Sequence, residues 1–200
     1  MKDQSKPIEE RGGWKVLSKE KIYSNPWIEL EEHQVINPGG GPGIYGVVHY
    51  HNIAVSVIPV DEQGNTWFVG QHRYPLDVYS WEIPSGGGAL DTDPIESGRR
   101  ELKEETGIVA RDWKLIQRFD LSNSTSDEYG LVYLATGLTF EEAEPCEDED
   151  LKIRKLSLEQ AFQEIQDGLI HDSLTVVGLL KLENMMLKGF WEPGQSAADV

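Results

Sequence analysis

A chain of 200 residues with 35 acidic and 18 basic side chains has room for one domain, or one domain with a small appendage. Its formal net charge of −17 excludes a surface built to bind nucleic-acid phosphates. The single Cys146 excludes an internal disulfide, and no apolar run approaches the roughly 20 residues that cross a bilayer. The opening M-K-D-Q-S-K-P is polar and lacks the apolar stretch of a secretion signal. These features predict a soluble cytoplasmic protein with no membrane or nucleic-acid partner.

Residues 1–13 read as a flexible arm. Residues 14–22, 27–36 and 44–50 read as strands, separated by the turn Y-S-N-P-W and the run P-G-G-G-P-G. Three strands with so little covering sequence must pack on the rest of the chain or on a second copy. The near-continuous apolar run 53–60 predicts a central strand, and 66–73 returns from it as a second. A short strand over 79–84 leads into a glycine loop. Residues 113–119 and 129–135 read as strands, joined by the polar loop 121–128. Residues 140–150 carry seven carboxylates in eleven positions. A strand over 151–156 follows. Ser157 then caps a helix over 158–167, Asp172 caps a last helix over 173–187, and the end of the chain reads as frayed. Mixed strands with few helices define an α+β class.

The densest signal runs from Pro84 to Ile108, P-S-G-G-G-A-L-D-T-D-P-I-E-S-G-R-R-E-L-K-E-E-T-G-I. Its glycines allow sharp turns and close approach to a ligand. Asp91, Thr92 and Asp93 are candidate N-caps, Pro94 suits a first turn, and Gly107 suits a helix end. On a helix over 94–106, Glu101, Glu104 and Glu105 share one face at i, i+3 and i+4. Like charges at that spacing repel. An isolated E-L-K-E-E is usually a solvated face, yet a cluster of hard oxygen donors is also what Mg²⁺ or Mn²⁺ prefers. Arg73 is a candidate phosphate grip, because a guanidinium matches phosphate oxygens in pairs. Arg100 is expected to pair with Glu104 one turn on. His72 should face away from its neighbour Arg73. Nothing in the sequence gives His33, His49, His51 or His171 a metal-binding partner.

Gly86 followed by R-E-L-x-E-E-x-G-I from Arg100 resembles the Nudix box, G-x5-E-x7-R-E-U-x-E-E-x-G-U with U apolar. One position departs: Thr92 stands where the box has its first Glu, and Asp91 or Asp93 can substitute. The resemblance covers about residues 14–187. Q-H-R-Y from Gln71, W-E-I-P-S-G from Trp81, E-D-E-D-L from Glu147 and the pattern from Glu164 to Thr175 look like the ADP-ribose and nucleoside-diphosphate-sugar pyrophosphatases. That resemblance implies an α/β/α sandwich with an N-terminal antiparallel β-segment at 14–51, a hydrolase domain at 52–190 and a tail at 191–200.

It also implies hydrolysis of the diphosphate bridge of a nucleotide sugar, with two or three Mg²⁺ (or Mn²⁺) ions. Glu101, Glu105 and Glu104 are the expected metal ligands, Glu104 also counting among the catalytic groups. The Ser85 carbonyl and Glu149 complete the ligand set. Glu147 is the expected general base. Glu82 would hold a water or the terminal sugar, and Gly86 and Gly87 would line the substrate. Trp27 and Tyr45 would stack on the nucleobase, with a second subunit docking through the N-terminal segment. That branch often has an Arg beside the aromatic. The stretch I-Y-G-V-V-H-Y-H has none, which leaves adenine and guanine substrates both open. The alternative is a non-catalytic Nudix-fold sensor or interaction module, for which Thr92 speaks.

Overall fold

The computed structural model describes residues 7–143 and 151–200. It divides into two compact units: Met1–Asn52 with Asp120–Glu128, and Ile53–Phe119 with Tyr129–Val200.

The first unit is an antiparallel sheet of β1 (Glu9–Arg11), β2 (Trp14–Ser24), β3 (Ile28–Ile36) and β4 (Pro42–Tyr50), in that order. Part of the arm expected to be flexible is therefore a strand, with Glu9 opposite Val16 and Arg11 opposite Trp14. β4 starts inside the expected glycine run, because Asn37 closes a tight turn by accepting the Gly41 amide at 3.1 Å. Val16, His33 and Val35 are buried on one face. Residues 123–127 line a cavity together with these three side chains and are bonded to β4. Val48 donates its amide to the Thr125 carbonyl at 2.8 Å, and Tyr45 donates its hydroxyl to the Ser124 carbonyl at 2.6 Å.

His49 ties this segment to β3 through Asp127 and Glu31. His33 Nε2 lies 2.8 Å from Glu31 Oε2, and His49 bridges Glu31 at 3.4 Å and Asp127 at 2.6 Å. The His33 contact, then burial opposing it, then His49 leave the Glu31 carboxyl below its ordinary 4.5. A lowered acid stabilises the fold above that ordinary value and loses its contribution as pH falls through the folded value.

The second unit holds two sheets, one ordered β8 (Ser85–Ala89), β5 (Asn52–Pro59), β10 (Tyr129–Phe140), β9 (Ile108–Asp120) and the other β11 (Lys152–Ser157), β6 (Asn65–Arg73), β7 (Val78–Glu82). β5 runs parallel to β10, with Ala54 opposite Gly130 and Pro59 opposite Ala135. The expected central strand is central, between β8 and β10. Alternation along β5 and β10 divides the core. Val57 and Ala135 pack with Leu102 of α1 (Pro94–Thr106). Ile58, Val132 and Leu134 pack with Leu179 and Leu182 of α3 (Ser173–Leu187). The two helices thus cover opposite faces, which is the α/β/α arrangement. Close approach needs glycine: a Cβ at Gly178 would come within 2.8 Å of Val132 Cγ1.

Three expectations change. The glycine loop 85–89 is the edge strand β8. β9 (Ile108–Asp120) begins directly after the helix, well before residue 113, and β10 runs on to Phe140. The end of the chain is packed: Trp191 and Ala197 are buried, and the Ala197 amide donates to Thr136 Oγ1 at 2.8 Å. The second sheet is β6 (Asn65–Arg73) between β7 (Val78–Glu82) and β11 (Lys152–Ser157). Ser157 and Gln160 form a reciprocal capping box at the start of α2 (Leu158–Gln166). Among the described residues, no helix is long and apolar enough to cross a membrane.

Replacing Trp191 by Ala should lower stability by about 3–5 kcal/mol in urea unfolding, whereas a frayed end would leave the midpoint unchanged. Between about pH 5 and pH 3, a Glu31→Gln protein should lose less stability than the wild type, measured by the same unfolding midpoints.

Candidate active site

The site lies in the second unit, where strand β8 meets helix α1. Asp93 caps the helix by accepting the Ile95 amide at 3.2 Å, and Pro94 opens the first turn. Gly107 closes it at φ 69°, in the left-handed region, and donates to the Lys103 carbonyl at 2.8 Å. The helix is thereby fixed at both ends, and its carboxylate face is turned to β8.

Each carboxylate has a defined neighbour. Glu105 is buried, and its Oε2 accepts the Ser85 amide at 3.0 Å. Glu101 lies against Gly86, where a Cβ would stand 2.0 Å from Glu101 Oε1. Glu104 accepts from Arg100 Nη1 at 2.6 Å, the expected i, i+4 pair. Arg100 Nη2 also donates to Glu101 at 2.5 Å and to the Gly87 carbonyl at 3.2 Å. Burial works against the Arg100 charge, but Glu101 and Glu104 outweigh it and hold the group above its ordinary value. Thr92 turns back to donate to the Ala89 carbonyl at 3.2 Å. Arg100 is thus oriented by Glu101, Glu104 and the Gly87 carbonyl.

A second ion pair stands beside this face. Arg73 Nε donates to Glu82 Oε1 at 2.8 Å, and Nη2 donates to Oε2. Glu82 is 2% exposed, while the Arg73 side chain keeps 40% exposure. The Glu82 hydrogen bonds, opposed by burial, raise the Arg73 guanidinium above its ordinary value, with Asp172 and Glu105 adding to the pull. His72 points elsewhere, to Asp77 at 3.0 Å. Glu82, expected to hold a water or the terminal sugar, accepts from Arg73 with both oxygens in this structure.

Two groups at this site escaped the sequence reading. The sequence gives Asp172 a helix-cap role and a place in the Glu164 to Thr175 pattern, with no role at the site. Asp172 also sits within electrostatic reach of Glu82 and Arg73, and burial, with Glu82 adding to it, pushes its carboxyl up. Thr175 was read as part of a motif without a role, yet its hydroxyl accepts the Ile83 amide at 3.0 Å. The available signal was a polar pair at the start of an otherwise apolar helix.

Trp27 and Tyr45 belong to the other unit. Trp27 is 64% exposed. Tyr45 is partly committed, with its ring edge-on to Trp14 at 5.3 Å and its hydroxyl on Ser124. Glu147 and Glu149 lie outside the described residues.

Among the described residues no three His, Cys, Asp or Glu side chains are drawn together closely enough to hold a metal. The donor set still fits a hard divalent cation. Glu101, Glu104 and Glu105 offer only carboxylate oxygens beside the backbone of β8, and the missing Cβ of Gly86 leaves the space that Glu101 fills. Fold and site together define an α/β/α sandwich whose acidic helix faces a glycine-rich edge strand.

The NUDIX domain model matches residues 50–175, and the model for the nucleoside diphosphate sugar hydrolase N-terminal domain matches residues 14–48. An ADP-ribose pyrophosphatase of Mycobacterium tuberculosis is 31% identical, covering 90% of this chain and 87% of the relative. One from Bacillus subtilis is 32% identical, covering 84% and 92%. A methanol dehydrogenase activator of Bacillus methanolicus is 33% identical, with the same coverage of 84% and 92%. A crystal structure of an ADP compounds hydrolase shares the fold with a TM-score of 0.80 at 19% identity, covering 91% of this chain and 98% of that one. The chain belongs to the Nudix hydrolase family, whose members generally depend on divalent metal ions.

A Gly86→Ala protein should fold normally, because the displaced atom is the far end of a flexible side chain. Its Mn²⁺ affinity should fall about tenfold by isothermal titration, since the Glu101 carboxylate must leave its seat.

Proposed function

We propose that this chain hydrolyses the diphosphate bridge of a nucleoside diphosphate sugar. One water is consumed, one P–O–P bond breaks, and a nucleoside monophosphate and a sugar phosphate leave. The observation that carries this reading is the carboxylate face of α1 turned against Gly86, with the Arg73–Glu82 pair beside it. The ADP-ribose pyrophosphatases among its relatives favour ADP-ribose as substrate, and the missing Arg near Tyr45 keeps GDP-mannose in contention.

Glu101 and Glu105 with the Ser85 carbonyl, joined by Glu104 and Glu149, would hold two or three Mg²⁺ ions. When bound, these ions neutralise the diphosphate and lower the pKa of the attacking water. The buried Glu105 keeps Ser85 in place through its amide. Arg73 has an exposed side to offer a phosphate oxygen while Glu82 fixes its orientation. Gly86 and Gly87 let the substrate approach the backbone closely. Glu147 takes the proton from the attacking water as general base. Trp27 and Tyr45 stack on the nucleobase, and the N-terminal β-segment docks a second subunit. The exposed Ile22, Tyr23, Trp27 and Ile44 of that unit support such docking. The single cysteine suits a reducing compartment, so the cytoplasm is the proposed location.

The test is a hydrolysis screen with Mg²⁺ on ADP-ribose, ADP-glucose, GDP-mannose and UDP-glucose, with products identified by mass. Cleavage of at least one to the two monophosphates is expected. Glu101→Gln and Glu105→Gln should each lower kcat by at least about 100-fold, and Glu147→Gln by about 10²–10⁴-fold. A protein that binds these compounds without cleaving any of them is a sensor and not an enzyme.

A further inference from the structure

Strand β7 ends at Glu82 in one sheet, and strand β8 begins at Ser85 in the other. The crossover between them carries Glu82 at one end and the amide that Glu105 accepts at the other. A peptide group in such a crossover loses its ladder partner, and a buried one must find another. Ile83 is fully buried and both its groups are met by side chains. Ser85 Oγ donates to its carbonyl at 3.0 Å, and Thr175 Oγ1 accepts its amide at 3.0 Å.

Thr175 is itself fully buried, 92 residues away in sequence, at the start of α3. Its hydroxyl donates to Asp172 Oδ2 at 2.7 Å, and the same oxygen accepts the Thr175 amide at 2.8 Å. A hydroxyl has one hydrogen and two lone pairs. Directing the hydrogen at Asp172 leaves the lone pairs for Ile83. The N-terminus of α3 carries none of the residues given a role in hydrolysis, yet it holds the backbone from which two site groups depart.

We infer that Thr175 is a positioning residue for the site: its hydroxyl fixes the crossover so that Glu82 meets Arg73 and the Ser85 amide meets Glu105. The effect on turnover rests on the proposed hydrolase reading; the effect on Ser85 does not.

Thr175→Val keeps the shape and removes the hydroxyl, while Thr175→Ser keeps the hydroxyl and removes a methyl. Amide hydrogen exchange at Ser85, kcat and KM are measured for both on whichever nucleotide sugar the wild type cleaves. Thr175→Val should exchange the Ser85 amide about tenfold faster and lose about 10–100-fold in kcat, with KM within about threefold. Thr175→Ser should retain most of the wild-type value of each. A packing role predicts the reverse order, with Ser the worse variant, and that order overturns the inference. So does a Val protein indistinguishable from wild type. Should Thr175→Val not fold, Thr175→Cys replaces the hydroxyl by a weak donor and acceptor. It should then show both losses relative to Thr175→Ser, and equality of the two overturns the inference. If the wild type cleaves no nucleotide sugar, the hydrolase reading falls and exchange at Ser85 alone decides the positioning role.

Discussion

Three carboxylates on one turn and a half of a helix repel one another, and the second unit is arranged around tolerating them. Glu101, Glu104 and Glu105 each have a neighbour that offsets the repulsion: Arg100 for the first two, the Ser85 amide for the buried third. None of these could act without the close seating of α1 on β8. The bare backbone of Gly86 leaves the room that the Glu101 carboxylate occupies beside β8, where a Cβ would displace it. Gly98 lets α1 lie close to β5, since a Cβ there would stand 3.3 Å from Val57 Cγ2 and 3.4 Å from Val55 Cγ1, at the tight end of side-chain contact. A helix that must bring charge close to a sheet needs its small residues on the contact line and its carboxylates just beside it.

The helices were legible because their signals are local. Caps, a Pro at the first turn and a closing Gly lie within a few residues of one another, and α1 and α3 have the expected boundaries. Edge strands were less legible. Nothing in S-G-G-G-A marks it as β8, because its partner β5 lies some 30 residues upstream and supplies the pairing. Glycine propensity argues for a loop, and the tertiary pairing overrides it. The same reason hid the packed end of the chain, where Trp191 joins a core built from β5, β6, β10 and α3. It also hid the adoption of residues 120–128 by the N-terminal sheet, which a run of Ser, Asn and Thr does not announce.

The site divides along the same line. Spacing on one helix made the carboxylate cluster readable, and Arg73 and Glu82 were each singled out. Their mutual pairing depends on the β6–β7 register, which places Arg73 opposite Val78 and Val69 opposite Glu82. Long-range contacts such as Thr175 to Ile83 leave no trace in local pattern, because each partner has an adequate local explanation. Thr175 is a good first-turn residue, and Ile83 is a core residue. Only their meeting gives either one a further role.

Charge explains why a site of this make-up would call for cations. Around the crossover stand Glu82, Glu101, Glu104, Glu105 and Asp172, with Arg73 and Arg100 as their cationic partners. Burial pushes Asp172 up, so the folded chain already disfavours one of these charges. Arg73 is held by Glu82, and Arg100 by Glu101 and Glu104, so both guanidiniums are largely committed. An incoming diphosphate would add further negative charge to a chain whose net charge is −17. Two guanidiniums cannot serve five carboxyl groups and a diphosphate at once. Divalent ions resolve the conflict: each would neutralise carboxylate and phosphate oxygens together and free Arg100 from part of its task. The acidity that would repel nucleic-acid phosphates is thus what a cation-dependent diphosphate site would need.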